Sequence, residues 1–327
     1  MTTIIISDPL QKEVEKASDG KCTIIRTPKG NPSYMTRIQK FACEEISDDL
    51  GTGLHPAFIS GGKEIGDLLV GTYPSVIIDG EALSLPWQVP HRYINLHEAR
   101  KACVAADCHL MTNWESAALA LLCIKNNFIP RGNTDWGKSH SHPDEHGILC
   151  GEMGITLTGS GPTTWRHDGT LYGVDGLVGN VWEWCDGLLL DGGKILMPAD
   201  NDWNTPDSGW SNIEAFLDGV NGIQISDSIT KRGWVNASFR DVAAKDGYEA
   251  PTILKQSLLC PCNAMLKMEP YVTPGRMWVD NNKGFKSAAL RGGDFSYGAH
   301  AGVFFLYLSA APSNAGCYIG FRASKAL

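Results

Sequence analysis

The sequence is poor in basic residues: 28 Lys and Arg stand against 36 Asp and Glu, a formal net charge of -8. A surface of that sign repels a phosphate backbone, which excludes nucleic acid as the main partner. Long hydrophobic runs are missing too. The most apolar stretches, 117–124 and 302–311, fall far short of the roughly 20 residues a spanning helix requires, so no membrane insertion is expected. The opening MTTIIISDPL has no basic segment, and Ser7, Asp8 and Pro9 cut its apolar run short, so it does not read as a secretory signal. The ten cysteines are therefore expected to be mostly reduced thiols in a protein made in the cytoplasm. Cys260 and Cys262 stand too close to bridge easily, and no second pair at metal-site spacing accompanies them. No internal repeat or low-complexity tract is visible.

What is present is a globular composition over 327 residues, 43% hydrophobic and 20% charged, enough to bury a substantial core. Glycine (36) and tryptophan (10) are both plentiful, which points to a loop-rich fold in which large aromatic plates hold irregular backbone.

The first forty residues read as an N-terminal arm or small subdomain, with a short helix over 12–17 and a strand over 23–26. Residues 41–327 read as the main domain. Strands are predicted over 57–60, 68–73 and 75–78, separated by Gly61-Gly62, Pro74 and the Asp79-Gly80 turn. Asn95, three residues before Glu98, caps one helix, and Thr112-Asn113-Trp114-Glu115 is a capping box that opens a second, ending near Asn126. From Pro130 to Arg291 the pattern is mostly loop, a length that suits only a fold able to wrap long loops around a small sheet.

Several candidate chemistries are weak. His140, His142 and His146 with Asp144 and Glu145 are the densest group of metal-type side chains, but SHSHPDEHG reads as a solvated loop. Gly159-Ser160-Gly161 lacks the Lys and the helix of a phosphate loop. Asp135, Asp144, Asp168 and Asp175 sit beside Gly, Pro or Trp, as turn residues do.

Two segments are specific. In Gly179-Asn180-Val181-Trp182-Glu183-Trp184-Cys185, alternation places both indoles on one strand face and Val181, Glu183 and Cys185 on the other. The second runs from Leu290-Arg291-Gly292-Gly293 to Ile319-Gly320-Phe321-Arg322, two arginines bounding small and aromatic residues. Together with the Thr112 capping box, they resemble the formylglycine-generating-enzyme branch of the C-type lectin fold. That resemblance implies an α+β chain of small twisted antiparallel sheets, two helices and long loops. It does not carry the enzyme over, because the catalytic members place two cysteines in the closing segment. Here Gly293 is followed by Asp294, Phe295, Ser296 and Tyr297, and the only thiol is Cys317.

A narrower resemblance is to the variable proteins of diversity-generating retroelements, found in phage tails and on bacterial surfaces. Their closing segment looks like RGG-N-W-N-N-G-x-N-A-G-V-F before diversification, and this chain reads RGGDFSYGAHAGVF, with APSN and IGFR further on. Within 290–322 the resemblance implies that the ligand-binding, exchangeable positions are Asp294, Phe295, Ser296, Tyr297, His300, Phe305, Tyr307, Ser309, Ala310, Gly316, Cys317 and Tyr318. Each residue belongs to the set reachable when the adenines of an Asn codon are rewritten. Alternation of Leu306 and Leu308 with Tyr307 and Ser309 would put scaffold on one face and exchangeable residues on the other, with Val303, Phe304 and Ile319 buried. Tyr, Ser, Gly and His are also what paratopes use. The competing reading makes Tyr297, Phe305, Tyr307 and Tyr318 ordinary core aromatics.

The wider resemblance also implies a structural calcium ion on the Val178, Gly179 and Val181 carbonyls and the Glu183 carboxylate. No other cofactor and no catalytic residue is expected. The reading as a whole is a non-enzymatic phage tail receptor-binding protein, recognising a host cell-surface protein or glycan, with other tail proteins as further expected partners. The alternatives are a formylglycine-generating-type oxidative enzyme and a bacterial surface-displayed variable adhesin.

Overall fold

The computed structural model describes residues 8–151, 153–218, 224–226, 234–238, 243–244, 248–249, 251–258, 276–280, 284 and 286–327. Cys260 and Cys262 lie outside them.

Helix α1 (Pro9–Ala17) starts where Asp8 accepts from the Leu10 N–H at 2.9 Å and Pro9 fixes the first helical φ. Strand Cys22–Arg26 pairs antiparallel with Pro32–Ile38, which pairs with Leu68–Gly71. The sheet continues through the C-terminal strand Ala323–Ala326 to His109–Leu110. Where described, residues 1–40, read as an arm or small subdomain, contribute two strands to the sheet that holds the strand Ala323–Ala326, with Cys22, Ile24, Met35 and Ile38 buried. The strand expected over 57–60 is shorter. Pro56 favours helical φ, so Pro56–Phe58 forms a 3-10 turn and only Ile59–Ser60 is extended. The hairpin Ser75–Ile78 with Glu81–Ser84 turns at Asp79-Gly80, both at positive φ (52° and 83°), as a type I′ turn demands.

Helices α2 (Leu96–Ala105) and α3 (Asn113–Lys125) both carry the predicted capping boxes, closed by Asn95 with Glu98 and by Thr112 with Glu115. α3 is apolar almost all round and buried along its length, the mark of a central helix. Loop follows, with a single 3-10 turn at Thr163–Trp165, as far as residue 181. Beyond that the structure departs from the expected loop.

Strand Trp182–Asp191 is the middle of a second, larger sheet. On one side lie Ser287–Gly292, Gly302–Ala310 and Arg276–Asp280; on the other, Lys194–Met197 and Ser211–Asp218. Trp182–Asp191 is buried on both faces except at its last residue, so it shows little of the polar alternation that betrays a half-exposed strand. Short strand Ile319–Phe321 runs parallel to Trp182, Glu183 and Trp184.

This sheet separates two apolar clusters. Phe304, Leu306 and Leu308 pack on the α3 side with Trp114 and Leu119. Phe305 joins Trp182, Trp184, Ile319 and Phe321 on the α2 side. A strand's period of two thus sends alternate residues of Gly302–Ala310 into different clusters. Each buried indole contributes roughly 4–6 kcal/mol of transfer free energy as an upper figure.

Two buried histidines give the fold a pH limit. His55, packed against Phe41, Phe58 and Trp114, accepts from the Ala57 N–H and meets the Gln256 carbonyl through its other nitrogen. His167 accepts from the Val174 N–H at 2.8 Å. Burial pulls each from 6.5 down to about 4. Between those values the unfolded chain takes up protons that the folded chain refuses, so stability is full above about pH 6.5 and is lost as pH falls towards 4. Urea melts from pH 7 to 4 should show that decline, roughly 3 kcal/mol per histidine at most. His55→Gln and His167→Gln should each flatten it, and an unchanged slope would contradict the assignment.

Candidate binding face

The closing segment is anchored at its ends by two buried arginines on different partners. Arg322 donates to Glu183 through Nε at 2.9 Å and Nη2 at 2.5 Å, and to the Gly71 and Asp175 carbonyls at 2.7 and 2.8 Å. Burial pushes the Glu183 carboxyl up, against the pull of Arg322. Arg291 donates to Asn113 Oδ1 and to the Ser257 carbonyl, meets no carboxylate among the described residues, and burial draws it down to about 10, so it stays charged at neutral pH.

Between these anchors the main chain is tied to the frame by its own amides and carbonyls. Phe295 N–H donates to Asn180 O, Gly298 N–H to Thr134 O, and Trp182 N–H to Tyr318 O. Trp136 N–H reaches Phe295 O at 2.8 Å, and Tyr93 N–H reaches Gly316 O at 2.9 Å. Close approach is required beneath: a Cβ on Gly179 (φ 72°) would stand 2.0 Å from the Asn133 carbonyl oxygen.

The predicted positions divide by burial. Asp294, Phe295, Phe305, Ser309 and Ala310 are buried; Tyr297, His300, Tyr307, Gly316 and Cys317 are half-buried; Ser296 and Tyr318 are exposed. Trp182 gathers three of them, with ring centroids 4.9 Å from Tyr297, 4.8 Å from Phe305 and 5.4 Å from Tyr307. Phe305 therefore lies in the core as the competing reading had it, whereas Tyr318 does not. Asp294 accepts from Ser296 N–H and Oγ–H, both at 2.8 Å, and burial raises its carboxyl. Burial and the neighbouring Asp294 and phenols push Tyr297 up.

The four residues implied as calcium ligands do not fit the ion. Their one carboxylate, Glu183, already has both oxygens bonded to Arg322, whose charge occupies the role a metal would fill. Among the described residues no group of three or more His, Cys, Asp and Glu is placed to hold a metal. The histidine-rich loop is instead tied by Glu145 to Arg131 and Trp165, and by His140 to Thr134. The described cysteines are all free thiols.

Sequence reasoning missed Tyr93, Arg92 and Trp136, which touch the face from the loops before α2 and after α3. No period or motif marks them. The Gly179–Cys185 run did signal the strand that starts at Trp182, but the identity of Glu183's partner required the fold.

No protein-family model matches the chain, and no curated protein matches it. Solved structures to which it is similar include the Major Tropism Determinant P3c Variant, at 12% identity over 93% of this chain and 71% of that one, TM-score 0.35. The Major Tropism Determinant I1 Variant is 13% identical over 94% of this chain and 81% of its own, TM-score 0.31. Treponema denticola variable protein 1 is 13% identical over 93% and 98%, TM-score 0.34.

Replacing Arg322 by Met should cost about 3–5 kcal/mol in urea unfolding, because Glu183 is left buried and unpaired. The double variant Arg322→Met with Glu183→Leu should recover much of that loss. Calcium or EDTA should leave Tm unchanged; a calcium-dependent rise would contradict the reading of Glu183.

Proposed function

We propose that this chain is a non-enzymatic ligand-binding protein of C-type lectin fold whose exchangeable positions, Asp294, Phe295, Ser296, Tyr297, His300, Phe305, Tyr307, Ser309, Ala310, Gly316, Cys317 and Tyr318, serve a face that recognises a protein or glycan on a host cell surface. Its place would be the phage tail. Supporting this are the closing-segment motifs and the absence, among the described residues, of a helix long and apolar enough to cross a membrane.

The observation that carries the reading is how the face is held. The segments bearing the candidate residues are fixed by main-chain hydrogen bonds to Asn180, Thr134, Trp182 and Tyr93, which any side chain permits. Exposed and half-buried side chains between those bonds are then free to change without loosening the frame. A rigid backbone carrying Tyr, Ser and His offers contact area with little ordering cost on binding.

Burial sets different tolerances within the set. Tyr318→Ala should shift stability by less than about 0.5 kcal/mol, and Ser296→Ala should cost about 1 kcal/mol, because Asp294 loses the hydroxyl and keeps the Ser296 N–H. Phe305→Ala should cost about 3–5 kcal/mol, from loss of its packing on Trp182. Chemical denaturation checks all three. DNA flanking the coding region should contain a template repeat with Asn codons at these positions and a reverse transcriptase gene. Their absence would overturn the exchangeable-face reading. Virions carrying Ser296→Ala with Tyr318→Ala should lose adsorption to cells that the parent phage binds, and unchanged adsorption would count against receptor binding.

A further inference from the structure

Among the described residues three large aromatics outside the predicted set are exposed with left-handed backbone: Trp87, bonded to Thr158 away from the candidate face, and Tyr93 and Trp136, which touch it. Tyr93 has φ 58° and is 63% exposed; Trp136 has φ 49° and is 58% exposed. A bulky side chain in the left-handed region persists only where surrounding contacts impose it. For Trp136 the Asp135–Lys138 turn, held in part by Gly137 N–H on Asn133 Oδ1, sets the left-handed backbone, and both residues are also bonded to the candidate face. Tyr93 N–H is bound to Gly316 O, and Trp136 N–H to Phe295 O.

Side chains reinforce both. Arg92 donates to the Cys317 carbonyl at 3.3 Å, and its guanidinium carbon lies 5.9 Å from the Tyr93 ring centre. The Trp136 and Phe295 rings meet edge to face, centroids 4.8 Å apart. Gly154 makes room for that pair, since a Cβ there would lie 2.7 Å from the Trp136 ring and 3.0 Å from Phe295. Neither exposed ring gains the burial that usually offsets such backbone strain. More than half of each side chain faces solvent, Tyr93 beside Gly316 and Trp136 beside Phe295.

We propose that Trp136 and Tyr93 form an aromatic border of the binding face, held by main-chain bonds to positions 295 and 316 that do not depend on the side chains there, and that the partner they meet is a protein surface. This rests on the reading of 294–318 as a binding face. Area and chemistry favour a protein. With Tyr318 at 43% exposure, the three rings offer on the order of 400 Å2, about half of the ~800 Å2 each side contributes to a standard protein interface. Trp, Tyr and Arg are also the side chains on which protein interfaces concentrate their affinity. A sugar would call for free carboxylate or amide acceptors. Asp294, the one acid in the exchangeable set, already bonds Ser296 within its own turn.

The test uses the whole chain and a peptide selected on it from a phage-displayed random library, labelled for fluorescence anisotropy. Trp136→Gly and Tyr93→Gly remove the rings while placing glycine where the backbone already favours it. Each should weaken the peptide at least tenfold without lowering Tm, and Tyr318→Ala should weaken it similarly. Wild-type affinity in both glycine variants would overturn the border, as would a marked fall in their Tm or failure to select any binding peptide. Loss of peptide in the glycine variants but not in Tyr318→Ala or Ser296→Ala would leave the border standing and refute the exchangeable face. Glycan-array binding abolished by the same glycine variants would refute the protein partner. Self-association in sedimentation that those variants abolish would make the occupant a second copy of the chain, with the same consequence.

Discussion

The structure turns on the buried pair of Arg322 and Glu183. One guanidinium joins three separate parts of the chain: the Trp182–Asp191 strand through Glu183, the first sheet through Gly71 and the long loop through Asp175. It stands immediately after Ile319–Phe321, so the end of the closing segment is fixed beside Trp182 and Trp184. Such a pair contributes little net stability over an apolar replacement, but either half alone is costly to bury. What it sets in this chain is position: parallel pairing of Ile319 with Trp182 and of Phe321 with Trp184. At the other end, Arg291 does the same for Ser287–Gly292 through the start of α3. Between the two arginines, main-chain hydrogen bonds and the pairing of Gly302–Ala310 hold the rest.

The rest of the design follows from strand periodicity and from who holds the backbone. Even-numbered residues from Phe304 to Leu308 enter the cluster around α3, while Phe305 and Tyr307 turn towards Trp182. The second direction is only partly a surface. Phe305 closes over the indole and is buried, Tyr307 is half-covered, and exposure is reached at Tyr318 and Ser296. On the proposed reading, a graded face of this kind would combine a stable base with replaceable tips. Because the frame bonds the main chain, replacing a tip disturbs packing locally and leaves the connections intact.

Much of the frame was legible in the sequence because it rests on local rules. Asn95 and Thr112 mark helix starts through capping chemistry, Asp79-Gly80 marks a tight hairpin, and Trp182 with Trp184 marks a strand face. The alternation from Phe304 to Leu308 likewise showed which residues turn to the α3 core. Long-range features were not legible. Nothing in residues 22–38 announces that they pair with a strand leading, through Leu68–Gly71, to the C-terminus. Strands buried on both faces after residue 182 lose the polar alternation that identifies a strand. Glu183 read as a metal ligand because its type and motif allowed it, and only the fold brings Arg322 within 2.5 Å. Tyr93 and Trp136 carry no signal at all, since left-handed backbone and proximity to the face are properties of the folded chain.

The central claim is that the tips are exchangeable on a fixed frame that binds a partner. Its most direct test is a library in which Ser296, Tyr297, His300, Tyr307, Gly316 and Tyr318 are randomised together within the set of residues reachable from Asn codons. On this account most members fold with near-parental Tm, and selection against unrelated proteins yields specific binders. A library that is mostly unfolded, or well folded but without binders to any target, would contradict it.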